Sequence, residues 1–376
     1  MFNQRKTEFV IRNSKENYLS LKILHIAPQN FAGMPYDFVK MHRRSGHESS
    51  LITLYKNTLN FPEDICLGMD LPGGKRAKAW RDSKAESSGD KVLKYAEPKN
   101  FAENIYFKLR DLKNSGLINK SIETHSLYNY DIYHFDGGMD LFRDMRFAKE
   151  LKRRNKKIVC CYFGSDLRTR GIFKEMDEMS DLNLTVEFDH LKLHKNISYI
   201  YFPFDTDQFK IIKKRNKKLK IIHSPTNRKF KGTDKILKVI NEIDKIRNIE
   251  FILLENTDRE KVLKIKTECD LAIDQVGGEL GGSGYGKNSV ENLSMGIPTF
   301  TEFTEEYLIF LERNPFIHST IDTLKENILK LTDNEELRED ISVKGREWVE
   351  SFHSFSAVSG KLQEYYGKFN IAADGK

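Results

Sequence analysis

From residue 21 almost to the C-terminus, short apolar runs rich in β-branched and aromatic residues alternate with stretches whose apolar positions recur every three or four residues. The short runs predict strands, and the 3.6-residue period predicts amphipathic helices. Residues 21–27 (LKILHIA), 50–54, 131–135 (DIYHF) and 158–163 are the strands of a first series. Helices are predicted from about residue 35 to Gly46 and over 140–154, where Leu141, Met145, Ala148 and Leu151 share one face. A second series has strands at 219–223, 250–254, 271–273 and 298–300, and helices at 233–247, 258–267, 304–313, 320–332 and 335–350. Ile236, Leu237, Ile240, Ile243 and Ile246 form a single stripe in the first of these helices. Strand–helix alternation predicts an α/β protein with parallel sheets. Two such series in 376 residues predict two Rossmann-like domains. The boundaries read as an extension at 1–20, a first domain at 21–205 with an insertion at about 55–130 beside the cleft, a second domain at 206–350, and a closing segment at 351–376. The linker falls near 203–217.

Composition narrows the class. A hydrophobic fraction of 39% with 25 Phe supports packed cores, and no run reaches the roughly 18 apolar residues of a membrane-spanning helix. The first twenty residues lack an apolar signal core, so a cytoplasmic location is expected. Cys66, Cys160, Cys161 and Cys269 have no ligand spacing, which speaks against a zinc framework or disulfides. The net charge of +7 is concentrated at 75–81, 152–157 and 213–220. The last two clusters precede predicted strands and read as solvated loop ends. The first holds Trp80, whose ring suits a membrane interface, so a peripheral position on an anionic membrane surface is one expectation. No helix-turn-helix, RNP or zinc-finger pattern accompanies the charge, and nucleic acid is not an expected partner.

The chemistry concentrates at 269–299, CDLAIDQVGGELGGSGYGKNSVENLSMGIPT. A strand ending at Asp274 leads into six glycines and then a helix starting near Gly286. Its free amides and positive dipole end suit a phosphate, and Glu291 in its second turn suits a ribose. A plain glycine-rich surface loop is the alternative reading. About eleven residues separate the GxGxG string from the preceding strand, which speaks against a dinucleotide fingerprint and hydride transfer. After the strand at 219–223, Arg228 can fork onto phosphate oxygens and Lys231 adds a point charge; ordinary exposed loop charges are the alternative. In the first domain, Gly33, Asp136 and Asp166 follow strands and fall on the acceptor side of a shared cleft. Asp166 is the candidate to orient an acceptor hydroxyl, with Arg168 as its possible ion-pair partner. His134, within an apolar strand, is either catalytic or a satisfied core histidine. Asp205 and Asp207 resemble a metal-binding pair but suit turn caps better.

HSPTNRKFKGTDKIL at 223–237, CDLAIDQ at 269–275 and GYGKNSVENLSMGIPT at 284–299, with KILHIAPQNFAG, YDIYHFDGG and CYFGSDLRTRG in the first half, resemble GT-B glycosyltransferases of the glycosyltransferase family 4 type. The resemblance implies two Rossmann-like domains facing across a cleft and a C-terminal helix that crosses back to the N-terminal domain. It also implies a retaining sugar transfer from a nucleotide-diphosphate sugar, with no metal or other cofactor. Arg228 and Lys231 match the basic pair on the donor diphosphate, Gly284, Tyr285 and Gly286 match its backbone cradle, and Glu291 matches the ribose carboxylate. The basic surface around Trp80 makes a lipid-linked or polysaccharide acceptor the expected class, in glycolipid or cell-envelope synthesis. Two departures stand out: Ser283 occupies the position of a Glu that lies near the sugar in many relatives, and 163–166 lacks the family's loop histidine. They leave open an epimerase or hydrolase, or a nucleotide-sugar-binding protein without turnover.

Overall fold

The computed structural model describes residues 20–57, 61–70, 93–98, 100–211, 216–279 and 284–372. Ser283, the whole 75–81 cluster with Trp80, and residues 213–215 of the 213–220 cluster lie outside the described residues. Strands β1 (Lys22–Ala27), β2 (Glu48–Thr53), β3 (Ile65–Cys66), β4 (Ile132–Asp136), β5 (Lys157–Tyr162), β6 (Leu182–Thr185) and β7 (Ser198–Tyr199) form one sheet in the order β3-β2-β1-β4-β5-β6-β7. Strands β8 (Leu219–His223), β9 (Ile249–Leu253), β10 (Leu271–Ile273), β11 (Thr299–Thr301) and β12 (Ile317–His318) form a second, in the order β12-β11-β10-β8-β9. The pairings are parallel in both. Burial on two faces explains why β1 and β5 read as nearly unbroken apolar runs. Strand order reverses beside β1 and beside β8. Each sheet therefore has a crevice at the carboxyl ends of its strands, between β1 and β4 and between β8 and β10, where doubly wound folds bind ligands.

The domains are joined by more than the linker. Helix Phe355–Lys368 crosses back to the first domain, where Tyr365 Oη donates to Tyr199 O at 2.8 Å and the Ser45 and Ser359 hydroxyls meet at 2.8 Å. Phe204 N donates to His353 O at 2.7 Å, so the two chain crossings run side by side. One core joins Ile23, Phe38 and Val159 to Leu293, Tyr307, Trp348 and Val358. Arg44 forks onto Asp205 at 2.6 and 2.8 Å and reaches Asp207 at 3.1 Å. The Asp-x-Asp pair therefore holds a guanidinium beside the linker.

Two expectations shift. The helix predicted over 140–154 is Arg146–Arg153, because Met145 adopts a left-handed φ of 58°. Asp140 folds the preceding turn, accepting from Leu141 N and Ala148 N at 2.6 and 3.0 Å. The segment at 55–130 also adds β3 to the sheet edge before the long helix Phe101–Thr124.

Candidate active site

At the end of β8 the Asn227 side chain caps the one-turn helix Arg228–Lys231, accepting from Lys229 N and Phe230 N at 3.0 and 3.1 Å. This turn presses backbone to backbone on the loop after β10. A Cβ on Gly278 would overlap Phe230 O, so only glycine allows the approach. The contact carries Lys231 over the end of β10, with its Nζ 2.6 Å from Asp274 Oδ1 and 3.3 Å from Gln275 Oε1. Burial alone would raise the Asp274 carboxyl. Lys231, together with the Ser289 hydroxyl at 2.5 Å and the Asn288 amide at 3.0 Å, outweighs that and brings it to about 2. Arg228 is also engaged, 2.5 Å from both Glu255 and Asp234.

Helix Lys287–Ser294 begins at Gly286, in extended backbone, with no side chain capping it. Its first-turn amides are therefore left without intrahelical partners. Gly284 just before it has φ +94°, and a Cβ there would overlap the Tyr307 ring. Its carbonyl accepts from Thr301 Oγ1 at 2.7 Å. The Tyr285 side chain turns away into the core, stacks on Phe316 and reaches His353 Nε2 at 3.0 Å. Only its backbone remains available to a ligand. One turn on, Glu291 receives Arg259 at 2.7 Å on one oxygen and Lys266 at 2.8 Å on the other. Burial would raise this carboxyl, but the two cations outweigh it and the net direction is down. Lys266 has no exposed surface and also donates to Asn288 Oδ1 at 2.7 Å. A continuous chain of polar contacts, Lys231–Asp274–Asn288–Lys266–Glu291, thus joins the diphosphate and ribose candidates beneath the helix N-terminus.

Across the cleft stands the loop after β1. Gly33, at φ +73°, is the left-handed N-cap of helix Met34–Arg44, and a Cβ there would come within 3.1 Å of Lys287 Nζ. Lys287 donates to Asp37 Oδ2 at 2.5 Å and to Ala32 O at 3.1 Å, tying the donor-side helix to the first domain. Gly33, Asp37, Phe61, Arg259 and Lys287 are among the residues lining the gap, a cavity of about 90 Å³. Ligand sites are commonly about 300–1,000 Å³, so the gap in this arrangement is smaller than a typical small-molecule site.

The remaining first-domain candidates are committed to the protein. Asp166 accepts from Phe163 N, Gly164 N and Leu167 N at 2.8–2.9 Å, which fixes the loop at the end of β5. Arg168 does not pair with it. It forks instead onto Asp189 at 2.6 Å and reaches Glu187 at 2.5 Å. Asp136, 2% exposed, meets His25 Nδ1 at 3.3 Å, and burial and then Asp166 push its carboxyl well up. His134 is wholly buried within β4 and bonds Tyr366 at 2.6 Å, the position of a core histidine. Sequence reasoning passed over Asp37, Arg259, Lys266 and Lys287. Lys287 had a signal, as the first residue of a helix placed beside phosphate amides. Lys266 had none, because a lysine on a short charged helix reads as solvated.

Several solved structures share the fold. A glycosyltransferase from Rickettsia africae aligns with a TM-score of 0.60 at 13% identity, over 94% of this chain and 99% of its own. Anabaena HepE in complex with UDP aligns at 0.54 and 11%, over 93% and 100%. A putative UDP-N-acetylglucosamine 2-epimerase from Listeria monocytogenes aligns at 0.51 and 12%, over 96% and 99%. No family model and no curated protein matches the chain. At these identities the likeness shows a GT-B architecture, in agreement with the two parallel sheets, the cleft and the returning helix.

Proposed function

We propose that the chain is a glycosyltransferase of the family 4 type, moving a sugar with retention from a nucleotide-diphosphate donor to a hydroxyl acceptor. The observation that carries this is the polar chain from Lys231 to Glu291 under an uncapped helix N-terminus, facing Gly33 across a closable gap. In the reaction the bond from the anomeric carbon to the phosphate oxygen breaks, the acceptor oxygen bonds to that carbon, and the acceptor's proton is released. Negative charge builds on the departing diphosphate. Lys231, Arg228 and the amides at Gly286 are placed to stabilise it more strongly in the transition state than in the ground state. Glu291 has further lone pairs for ribose hydroxyls beyond those taken by Arg259 and Lys266. Asp166 acts here by shaping the acceptor-side loop.

An amphiphilic, lipid-linked acceptor is supported by helix Phe101–Thr124, where Phe101, Ile105, Leu109 and Leu112 leave 41–80% of their surface exposed on a helix that also carries Lys108 and Lys113. No described helix is long and apolar enough to cross a membrane. Titration calorimetry with UDP, GDP and ADP, followed by their sugar conjugates, tests the donor site. One nucleoside diphosphate should bind selectively, and Arg228→Ala should lower turnover by about 10²–10³. Turnover unaffected by that change would refute the assignment. The fold shared with an epimerase favours one rival, separable by product analysis with and without acceptor: a new glycoside supports transfer, and an epimer or free sugar alone supports the rival.

A further inference from the structure

β1 and β4 pair in register with His25 opposite His134, and helix Met34–Arg44 lays His42 over the same face. The three rings lie 4.4 to 5.7 Å apart by centroid, and none is more than 2% exposed. Each offers one ring nitrogen, and the three lie within 4.8 Å of one another. His25 Nε2, His42 Nε2 and His134 Nδ1 have no hydrogen-bond partner. On two of the rings the other nitrogen is engaged: His25 Nδ1 faces Asp136 Oδ2 at 3.3 Å, and His134 Nε2 meets the Tyr366 hydroxyl at 2.6 Å. Aromatic packing explains the buried rings but not an unpartnered nitrogen on each of three clustered rings, since buried polar atoms are nearly always satisfied.

We propose that His25, His42 and His134 form a structural site for a divalent transition-metal ion of the zinc class, with Asp136 and Tyr366 as the outer partners that orient two of the rings. Imidazole nitrogen is a preferred donor for such ions, and metal-bound histidines characteristically give their other N–H to a carboxylate or another oxygen. Zn–N bonds of about 2.0–2.1 Å in a tetrahedral site place ligating nitrogens roughly 3.3–3.4 Å apart, so the rings close inward by about 1 Å. The ion would fasten helix Met34–Arg44, which bears Asp37 and Arg44, to the sheet, and through Tyr366 would brace the returning C-terminal helix. The site is independent of the donor assignment.

The test uses the full chain, prepared without a histidine tag, incubated with zinc chloride and dialysed. Elemental analysis should find about one zinc per chain, and thermal unfolding should shift up with zinc and down after chelation. His42→Gln, outside the proposed donor and acceptor machinery, should abolish both effects while leaving the far-UV circular dichroism unchanged. Less than about a tenth of an equivalent in the wild type, or equal zinc in the variant, would overturn the proposal. Should the variant not fold, anomalous diffraction from wild-type crystals at the zinc edge decides. A peak among the three imidazoles supports the site. An ordered water there, or a peak only at another histidine such as the exposed His125, overturns it.

Discussion

Lys231→Met separates the structural from the chemical role of the phosphate-site lysine. Lys231 Nζ stands 2.6 Å from Asp274, which is 1% exposed, and this contact with two hydrogen bonds moves the carboxyl from 3.8 to about 2. At 1.36 kcal/mol per unit, that depression contributes about 2 kcal/mol of stability. The folded value lies below the unfolded one, so the contribution is complete above pH 3.8 and is lost as pH falls toward 2. Removing the lysine leaves a buried carboxylate with only Ser289 and Asn288. Stranding one partner of a buried pair typically costs about 3–5 kcal/mol. Urea unfolding at pH 7 should therefore show a loss of about 2–5 kcal/mol. Lys231→Met with Asp274→Asn removes both charges and should recover most of that loss, since Asn keeps an acceptor for Ser289 or Asn288. It should not recover nucleoside diphosphate affinity. A single variant less than about 1 kcal/mol below wild type would refute the energetic reasoning. A double variant binding nucleoside diphosphate like wild type would refute the phosphate role.

Glu291→Ala should destabilise by about 3 kcal/mol or more, because Lys266 is wholly buried and would keep only Asn288 as a partner; urea midpoints measure this, and donor affinities of the variant must be read at a temperature where it is folded. His353 donates Nδ1–H to Phe202 O and accepts from Tyr285, and burial lowers it to about 3. Its folded value lies below 6.5, so its share of stability is intact above pH 6.5 and falls with acid. The stability difference between pH 7.5 and 5 should shrink by about 2 kcal/mol in His353→Gln. The variant comparison is needed because Asp140, raised by burial to about 7, acts in the opposite sense. Asp37→Asn removes the charge that holds Lys287 across the gap and should raise the radius of gyration in small-angle scattering, whereas an unchanged radius would show that the ion pair does not hold the domains closed.

The strands of both sheets were legible wherever burial on two faces demands an unbroken apolar run, as in KILHIA and KIVCCY. LNLT of β6 and the two-residue β3, β7 and β12 carry no such run, and only neighbouring strands make them strands. Arg228 and Lys231 stood out as candidates because they lie in the loop that follows a strand, where doubly wound sheets bind ligands, and Gly284 and Glu291 because they flank a helix start suited to phosphate. Lys266 and Asp37 did not, because their burial depends on which helix face the other domain covers. The histidine cluster was equally silent. Positions 25, 42 and 134 share no spacing, and only strand register brings two of them together.

Every cation at the proposed donor site already has a carboxylate partner: Arg228 with Glu255 and Asp234, Lys231 with Asp274, Lys287 with Asp37, and Arg259 with Glu291. A diphosphate arriving here exchanges partners instead of meeting free charge. The net gain is the difference between phosphate and carboxylate at each cation, and it differs by position. Asp274 is buried, and a Lys231 turned wholly to phosphate would leave it only Ser289 and Asn288, so Lys231 keeps its carboxylate contact while it meets a phosphate. Asp37 loses its closest cation if Lys287 turns to the donor, and Lys40, 3.9 Å away and partly exposed, remains together with the weaker influence of Arg259. Burial acts as the largest influence on Asp37 and raises its carboxyl, so losing Lys287 would raise it further and favour protonation. On the proposed donor assignment, capture of a diphosphate by Lys287 would be coupled to release of the Asp37 contact and to proton uptake on helix Met34–Arg44. Binding enthalpies measured in two buffers of different ionisation enthalpy should reveal that proton in the wild type and not in Asp37→Asn. Equal proton uptake in both would break the link between donor binding and the ion pair.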